Sequence, residues 1–363
     1  LRQAFSSAVE HGHDTLASDA ANLLVFVVGV HQERLEAGAQ WGTVARALAR
    51  RRGEPWVEAT ALVHLGMVER LAGAPQDALA HLREGLAIKE RVRGPEHPHV
   101  AVTLSAIARV LEDQGRLDEA LEHLRRALAI DEQAQGPEHP HVAASLGNIG
   151  RVLAAKGQVV QAEEHMERAR AIYERVGDAP HVAALLASLG QLRYAQGRLG
   201  EAIALLERAV EVTEQAQGSE DLTLSILLGN LGVLRYEQGQ LDEALRLHQR
   251  AQAIRETTLG PEHPRVADGE RNVGLLLQEL GRPEEALVHL RRALAGVEAV
   301  HGPEHPDVAS LAFDLGRTLA LAGQPAEGRR QVQRARRIYA VRPEDADVLA
   351  DVERWLAEHP DQG

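Results

Sequence analysis

Between Val100 and Leu111 the apolar residues Val100, Leu104, Ile107, Ala108 and Leu111 recur every three or four positions, which predicts one stripe of an amphipathic helix. Leu117, Ala120, Leu121, Leu124, Ala127 and Leu128 repeat the pattern and predict a second helix. Gly115 lies between them, where a left-handed backbone can end the first helix without steric cost. Asp118 is the expected N-cap of the second. The unit is a helical hairpin whose apolar face needs a neighbour.

The hairpin recurs. GPEHPHVA stands at Gly94 and again at Gly136, GPEHPRVA at Gly260 and GPEHPDVA at Gly302. A period near forty residues marks supersecondary units that bury their faces by stacking. The step is forty-two residues, except from the third clear copy to the fourth, where the loop shrinks to GDAP (177–180) and the step is forty. One junction later the loop reads GSEDL (218–222). These two junctions are the expected weak seam of the array.

Four columns of small residues run in register through seven copies. The first is Gly66, Ala108, Gly150, Gly190, Gly232, Gly274 and Gly316. Turn glycines follow at Gly73, Gly115, Gly157, Gly197, Gly239, Gly281 and Gly323. Then come Ala78, Ala120, Ala162, Ala202, Ala244, Ala286 and Gly328, and seven residues on Gly85, Ala127, Ala169, Ala209, Ala251, Ala293 and Ala335. Helix backbones approach most closely where side chains are smallest, so these columns locate the tight contacts. The pattern resembles the tetratricopeptide repeat, in the long form found in kinesin light chains, over roughly residues 55 to 340. That resemblance implies an all-α, right-handed α-solenoid, a superhelix of about eight stacked hairpins.

The expected organisation is a degenerate helical repeat or cap over 1–54, seven repeats over 55–341, and a capping helix with a frayed tail (HPDQG) over 342–363. LLVFVVGV (23–30) is too short to span a bilayer and is expected as a buried helix paired with one using Ala37, Trp41 and Val44. The arginine-rich run Arg329 to Arg337 reads as a solvated face. Val348, Leu349, Val352, Trp355 and Leu356 form the apolar face of the final helix.

Composition removes several function classes. No cysteine is present, which excludes disulfides, thiolate metal sites and cysteine nucleophiles. A net charge of −13 argues against a nucleic-acid binder. The histidines of the GPEHP loops, paired as His97 with His99 and His139 with His141, invite a metal reading. Pro98 suits a first helical turn and Glu96 the helix dipole, so these loops read as structural and no metal or cofactor is expected. Phosphate-binding loops, nucleophile elbows and kinase signatures are absent from the sequence, so no catalytic residue is assigned and this chain is not expected to be an enzyme.

The remaining candidate is a groove, for which the resemblance is informative. In that family the first helix of each repeat lines a concave surface, and the residue two before the small position often donates an asparagine to an extended peptide. The matching residues include Asn148, Ser188, Asn230 and Asn272. One after the small position stand Arg109, Arg151, Gln191 and Arg317. Asparagine can pair with any peptide backbone, and arginine forks onto carboxylates. Tyr194 and Tyr236 occupy equivalent places, beside Arg193 and Arg235 where other repeats keep leucine; core packing and ligand contact both remain open for the tyrosines.

The expected function is a cytoplasmic protein-interaction scaffold that holds a peptide or partner domain, without nucleic-acid binding or membrane insertion. The repeat style also resembles arrays that follow the catalytic domain of bacterial serine/threonine kinases, which implies a partner-recruiting region of a larger signalling protein; a chain that starts at Leu1 rather than Met agrees with that expectation. A free-standing adaptor and a self-associating structural module are the rival readings.

Overall fold

The computed structural model describes residues 1–31, 34–218 and 221–360. Ser219 and Glu220 of the irregular junction, and the last three residues of the tail, lie outside the described residues. The chain divides into two compact units at Asp178, within the shortened GDAP loop. The first contains α1 (Arg2–Glu10), α2 (Asp14–Leu24), a π-helix (Val25–His31), α3 (Leu35–Arg52), α4 (Pro55–Leu71), α5 (Pro75–Arg93), α6 (Pro98–Asp113), α7 (Leu117–Gln135), α8 (Pro140–Ala155) and α9 (Val159–Val176). The second contains α10 (Ala179–Ala195), α11 (Leu199–Gln217), α12 (Leu222–Glu237), α13 (Leu241–Leu259), α14 (Pro264–Glu279), α15 (Pro283–His301), α16 (Pro306–Leu321), α17 (Pro325–Tyr339) and α18 (Ala346–Glu358). From α4 onward consecutive helices pack as hairpins within each unit, and each unit is an α-solenoid segment.

The small-residue columns have a direct steric cause. A Cβ at Gly66, Gly150, Gly274 or Gly316 would lie 2.5–2.8 Å from the side chain of Leu82, Met166, Leu290 or Val332 respectively. It would also crowd the carbonyl of the third-column residue, Ala78 Oxygen at 3.0 Å in the first case. The two columns therefore face each other across one hairpin. The seven turn glycines all have φ between 70° and 78°, the left-handed region that side chains resist. The stripe Val100, Leu104, Ile107, Ala108 and Leu111 is wholly buried.

Loop histidines are helix caps. The Nδ1 atoms of His97, His139, His263 and His305 each accept a hydrogen bond at 3.2 Å from the backbone N–H two residues on. Asp221 does the same at the equivalent place, its Oδ1 accepting from Thr223 N–H at 2.7 Å. Each cap is followed in the histidine loops by a proline that opens the helix, so one orphan donor is satisfied and another removed. His139→Ala is expected to cost about 1 kcal/mol, whereas His139→Asp retains the cap. Hydrogen exchange in the first turn of α8 checks this: equal loss of protection in both variants would show the imidazole is not the cap.

Three local expectations are corrected. Asp118 is not an N-cap: Arg116 holds that position without a side-chain bond, and Asp118 lies in the first turn of α7, where its carboxylate accepts from Lys156. The apolar run 23–30 is not one regular α-helix, since it leaves α2 at Leu24 and continues as the π-helix. Its partner α3 buries Gly38, Gly42, Ala45 and Ala49, because a Cβ at Gly38 would meet Gly29 Cα at 2.4 Å and only glycine permits that approach. Of the expected residues Trp41 packs half-buried against the cluster holding Val25, while Ala37 is only half-buried and Val44 is exposed. Trp41 also packs edge-on to Phe5 with ring centroids 4.8 Å apart.

At the end of the second unit Val352 of α18 is fully buried against the cluster holding Ile338 and Tyr339 of α17. Three of the five arginines of α17 are engaged within the chain. Arg329 donates to Leu356 O at 2.9 Å, Arg334 to Pro303 O at 2.9 Å, and Arg336 pairs with Glu353 at 3.0 Å. Arg329 and Arg336 thus hold α18, while Arg330 and Arg337 are exposed on the solvated side.

Candidate functional site: cavities along the first helices of the repeats

The first helix of each repeat turns one face into its hairpin and leaves another open. In the first unit the open faces of α4, α6 and α8 enclose a cavity of about 300 Å³. Arg109 and Asn148 line it, with Arg70, Met67, Val102 and Leu82. In the second unit α12, α14 and α16 enclose another of about 300 Å³, lined by Tyr236, Asn272 and Arg317 with Val233, His248 and Leu276. The two are built at matching register. Met67 corresponds to Val233, Arg70 to Tyr236, Leu82 to His248, Ala106 to Asn272 and Arg109 to Leu275.

Their chemistry differs. Around the first cavity Arg70 pairs with Asp113 at 2.8 Å, and Arg151 pairs with Glu112 while donating to Asn148 Oδ1 at 3.4 Å. Arg109 has neither a hydrogen bond nor an ion pair among the described residues. Burial, then the charge of Arg70, lowers its pKa. Burial, then Arg109 and Arg70, pushes Arg151 down to about 10. Three guanidiniums on three successive repeats thus share two carboxylates, and the local field favours an added anion. The chain as a whole carries a net −13, so this is a cationic site on an acidic protein.

In the second cavity Asn272 is exposed and has no hydrogen-bond partner among the described residues. Arg317 lies over the Phe313 ring at 5.7 Å and its charge acts on Asp314, with no ion pair at contact distance among the described residues. Tyr194 and Tyr236 are 43% and 41% exposed, so neither replaces a core leucine. Arg193 and Arg235 do take inward places, Arg235 pairing with Glu207 and Arg193 with Glu201 at 3.3 Å.

The other sequence candidates are placed less tellingly. Ser188 donates its hydroxyl to Ala184 O at 3.0 Å and is satisfied locally. Asn230, Gln191 and Tyr194 line neither cavity. Among the lining residues that escaped the sequence reading are Arg70 and His248. Arg70 lies four residues past its small position, in the column of Tyr194 and Tyr236, where the aromatic residues alone drew notice. His248 lies in a second helix, at a place held by Leu82, Leu124, Met166, Leu206, Leu290 and Val332 in other copies; that column was the signal. Among the described residues no three metal-ligating side chains gather, and no helix is long and apolar enough to cross a membrane.

Comparison with known proteins agrees with this architecture. No curated protein matches the sequence. The fold is similar to that of BtubC (BKLC) from P. vanneervenii, at 20% identity and TM-score 0.55, covering 64% of this chain and 91% of that one. It is similar to the Rap conjugation gene regulator of plasmid pLS20, solved with the Phr* peptide, at 13% identity and TM-score 0.54, covering 86% and 80%. A Podosopora anserina kinesin light chain with nearly identical TPR-like repeats matches at 23% identity and TM-score 0.40, covering 68% and 99%. The first two likenesses show the fold alone. The tetratricopeptide repeat model matches 57–133, 100–175, 141–215, 222–299 and 266–340, and the chain therefore belongs to the tetratricopeptide repeat family.

Proposed function

We propose that the chain is a protein-interaction scaffold whose first unit binds an extended, carboxylate-bearing peptide segment along α4, α6 and α8. The observation that carries this reading is Arg109, a guanidinium without a carboxylate of its own, set between Arg70 and Arg151. Asn148 beside it offers a donor and an acceptor to a peptide backbone, and Met67 and Val102 supply apolar wall. A bidentate carboxylate would satisfy Arg109 and relieve its repulsion with the neighbouring arginines. The similar Rap regulator solved with the Phr* peptide supports a peptide as occupant. Recruitment of the partner to a larger signalling protein, a serine/threonine kinase in the reading of the repeat style, is the proposed context, in the cytoplasm.

Arg109→Gln breaks no ion pair and is expected to leave stability within about 0.5 kcal/mol. Binding of an acidic peptide selected on the parent chain should weaken about tenfold, with a shallower salt dependence. Titration calorimetry at two ionic strengths reads both. A variant combining Arg109→Gln with Asn148→Ala that keeps full affinity would place the binding surface elsewhere. Sedimentation of the free chain over a range of concentrations separates this reading from self-association.

A further inference from the structure

The second cavity has a feature its counterpart lacks. His248 is 6% exposed and lines the cavity at the place where Leu82 lines the first. No described residue gives either ring nitrogen a hydrogen bond. Its ring packs on Gly232, where a Cβ would come within 2.7 Å of Cδ2 and Nε2, so the copy's glycine makes room for the imidazole as others make room for leucine. Burial, then the charge of Arg255, lowers its pKa, so at neutral pH the ring is uncharged, with one nitrogen donating and the other accepting. The ring faces the cavity without a protein partner, so its hydrogen-bonding capacity is left to whatever fills the cavity, whereas a leucine would fill the same space with none.

The surroundings define what could supply the partner. The walls are apolar, from Val233, Leu275 and Leu276, with the Tyr236 ring at the side. Glu279 and Arg317 stand at the same cavity with opposite charges, and neither is ion-paired among the described residues. Glu279 and Arg317 act with opposite sign on any entering charge, so the cavity favours neither a carboxylate nor an ammonium, and the hydrogen-bonding ring at its floor sets the preference. The tip that fits is neutral and hydrogen-bonding.

We propose that His248 is a specificity-determining residue, reading the hydroxyl or N–H tip of an uncharged, apolar-bodied side chain inserted between α12, α14 and α16. This deepens the peptide-scaffold reading and rests on it for the natural occupant. The two units then select different chemistry at matching register: a carboxylate over Arg109 in the first, a neutral polar tip over His248 in the second.

The test uses the full chain, with 4-methylphenol and toluene as probes of equal shape that differ in one hydroxyl. NMR titration, followed on the probes and on the His248 ring protons, should show the parent preferring 4-methylphenol by about fivefold. His248→Leu should abolish the preference while the melting temperature stays equal or rises, because leucine is the residue that packs at this place in other copies. His248→Gln, which keeps a hydrogen-bonding group, should retain part of it. Equal affinity of the parent for both probes, failure of 4-methylphenol to bind, or an unchanged preference in His248→Leu would overturn the proposal, leaving ordered water as the partner of the ring. A captured peptide lost on Arg109→Gln but untouched by His248→Leu would likewise overturn it and leave the scaffold reading standing. Selective binding of 4-methylphenol abolished by His248→Leu, with no peptide ever captured, would support the pocket and sink the peptide reading.

Discussion

Replacing Lys89 by Met should stabilise the first unit by roughly 2–3 kcal/mol at pH 7. The Lys89 side chain is 3% exposed on α5. Its Nζ donates to Thr103 Oγ1 of α6 at 3.0 Å and lies 5.8 Å from the centre of the Trp56 ring. No carboxylate within ion-pair distance compensates the charge among the described residues. Burial therefore pushes its pKa down from 10.5 to about 8. Below pH 8 the ammonium is buried charged and the full penalty applies. Between pH 8 and 10.5 the unfolded chain binds more protons than the folded one, so stability rises with pH and then levels off. Methionine fills similar volume and removes the penalty, at the cost of the Thr103 bond. Hydrogen exchange of α5 and α6 at pH 7, with chemical unfolding of both proteins at pH 7 and 10, measures the difference. Lower stability in Lys89→Met, or the same gain from pH 7 to 10 in both proteins, would mean that the ammonium is adequately solvated where it lies.

Gly328→Ala is the second large effect, and its sign opposes the repeat pattern. Six of the seven copies have alanine in this column, and helix propensity favours alanine over glycine by about 1 kcal/mol. On pattern alone the substitution should help. In the structure a Cβ at Gly328 would meet Gly316 O at 2.5 Å and Ala320 N at 3.1 Å, both backbone atoms that no rotamer change can move. Gly316 in turn would place its own Cβ 2.7 Å from Gly328 O. The pair α16 and α17 has closed to a spacing that needs glycine on both sides. We expect a net loss of about 1–3 kcal/mol, seen as a lowered melting temperature and faster exchange in α17 and α18. An array of this length departs from two-state unfolding, so the local readout decides. Gly328→Ala matching or exceeding the parent would show that α17 can shift outward freely.

The groove shows how far the columns carried. Arg109, Asn148, Tyr236, Asn272 and Arg317 came from their offset to a small residue, and they line the two cavities because that offset fixes which side of a helix a residue occupies. Ser188 has the same offset and is nonetheless satisfied by its own helix. A hydroxyl can bond the carbonyl four residues back, an alternative periodicity does not register. Tyr194 shares its offset with Tyr236 but lines neither cavity, since a cavity depends on neighbouring repeats as well as on one residue's place.

The hairpins, their order, the turn glycines and the small-residue contacts were determined by the sequence itself. They follow from local rules: helical periodicity, the left-handed backbone of glycine, and the identity of residues forty-two apart. The tertiary structure alone decided which polar groups find partners. Arg109 and Arg151 read alike in the sequence, yet Arg151 reaches Glu112 thirty-nine residues away and Arg109 reaches no carboxylate. His97 and His248 are the same residue type, yet one caps a helix and the other faces a cavity with no hydrogen-bond partner among the described residues. Pairing of this kind depends on distances of a few ångströms between side chains on different repeats, and periodicity along one chain contains no measure of them.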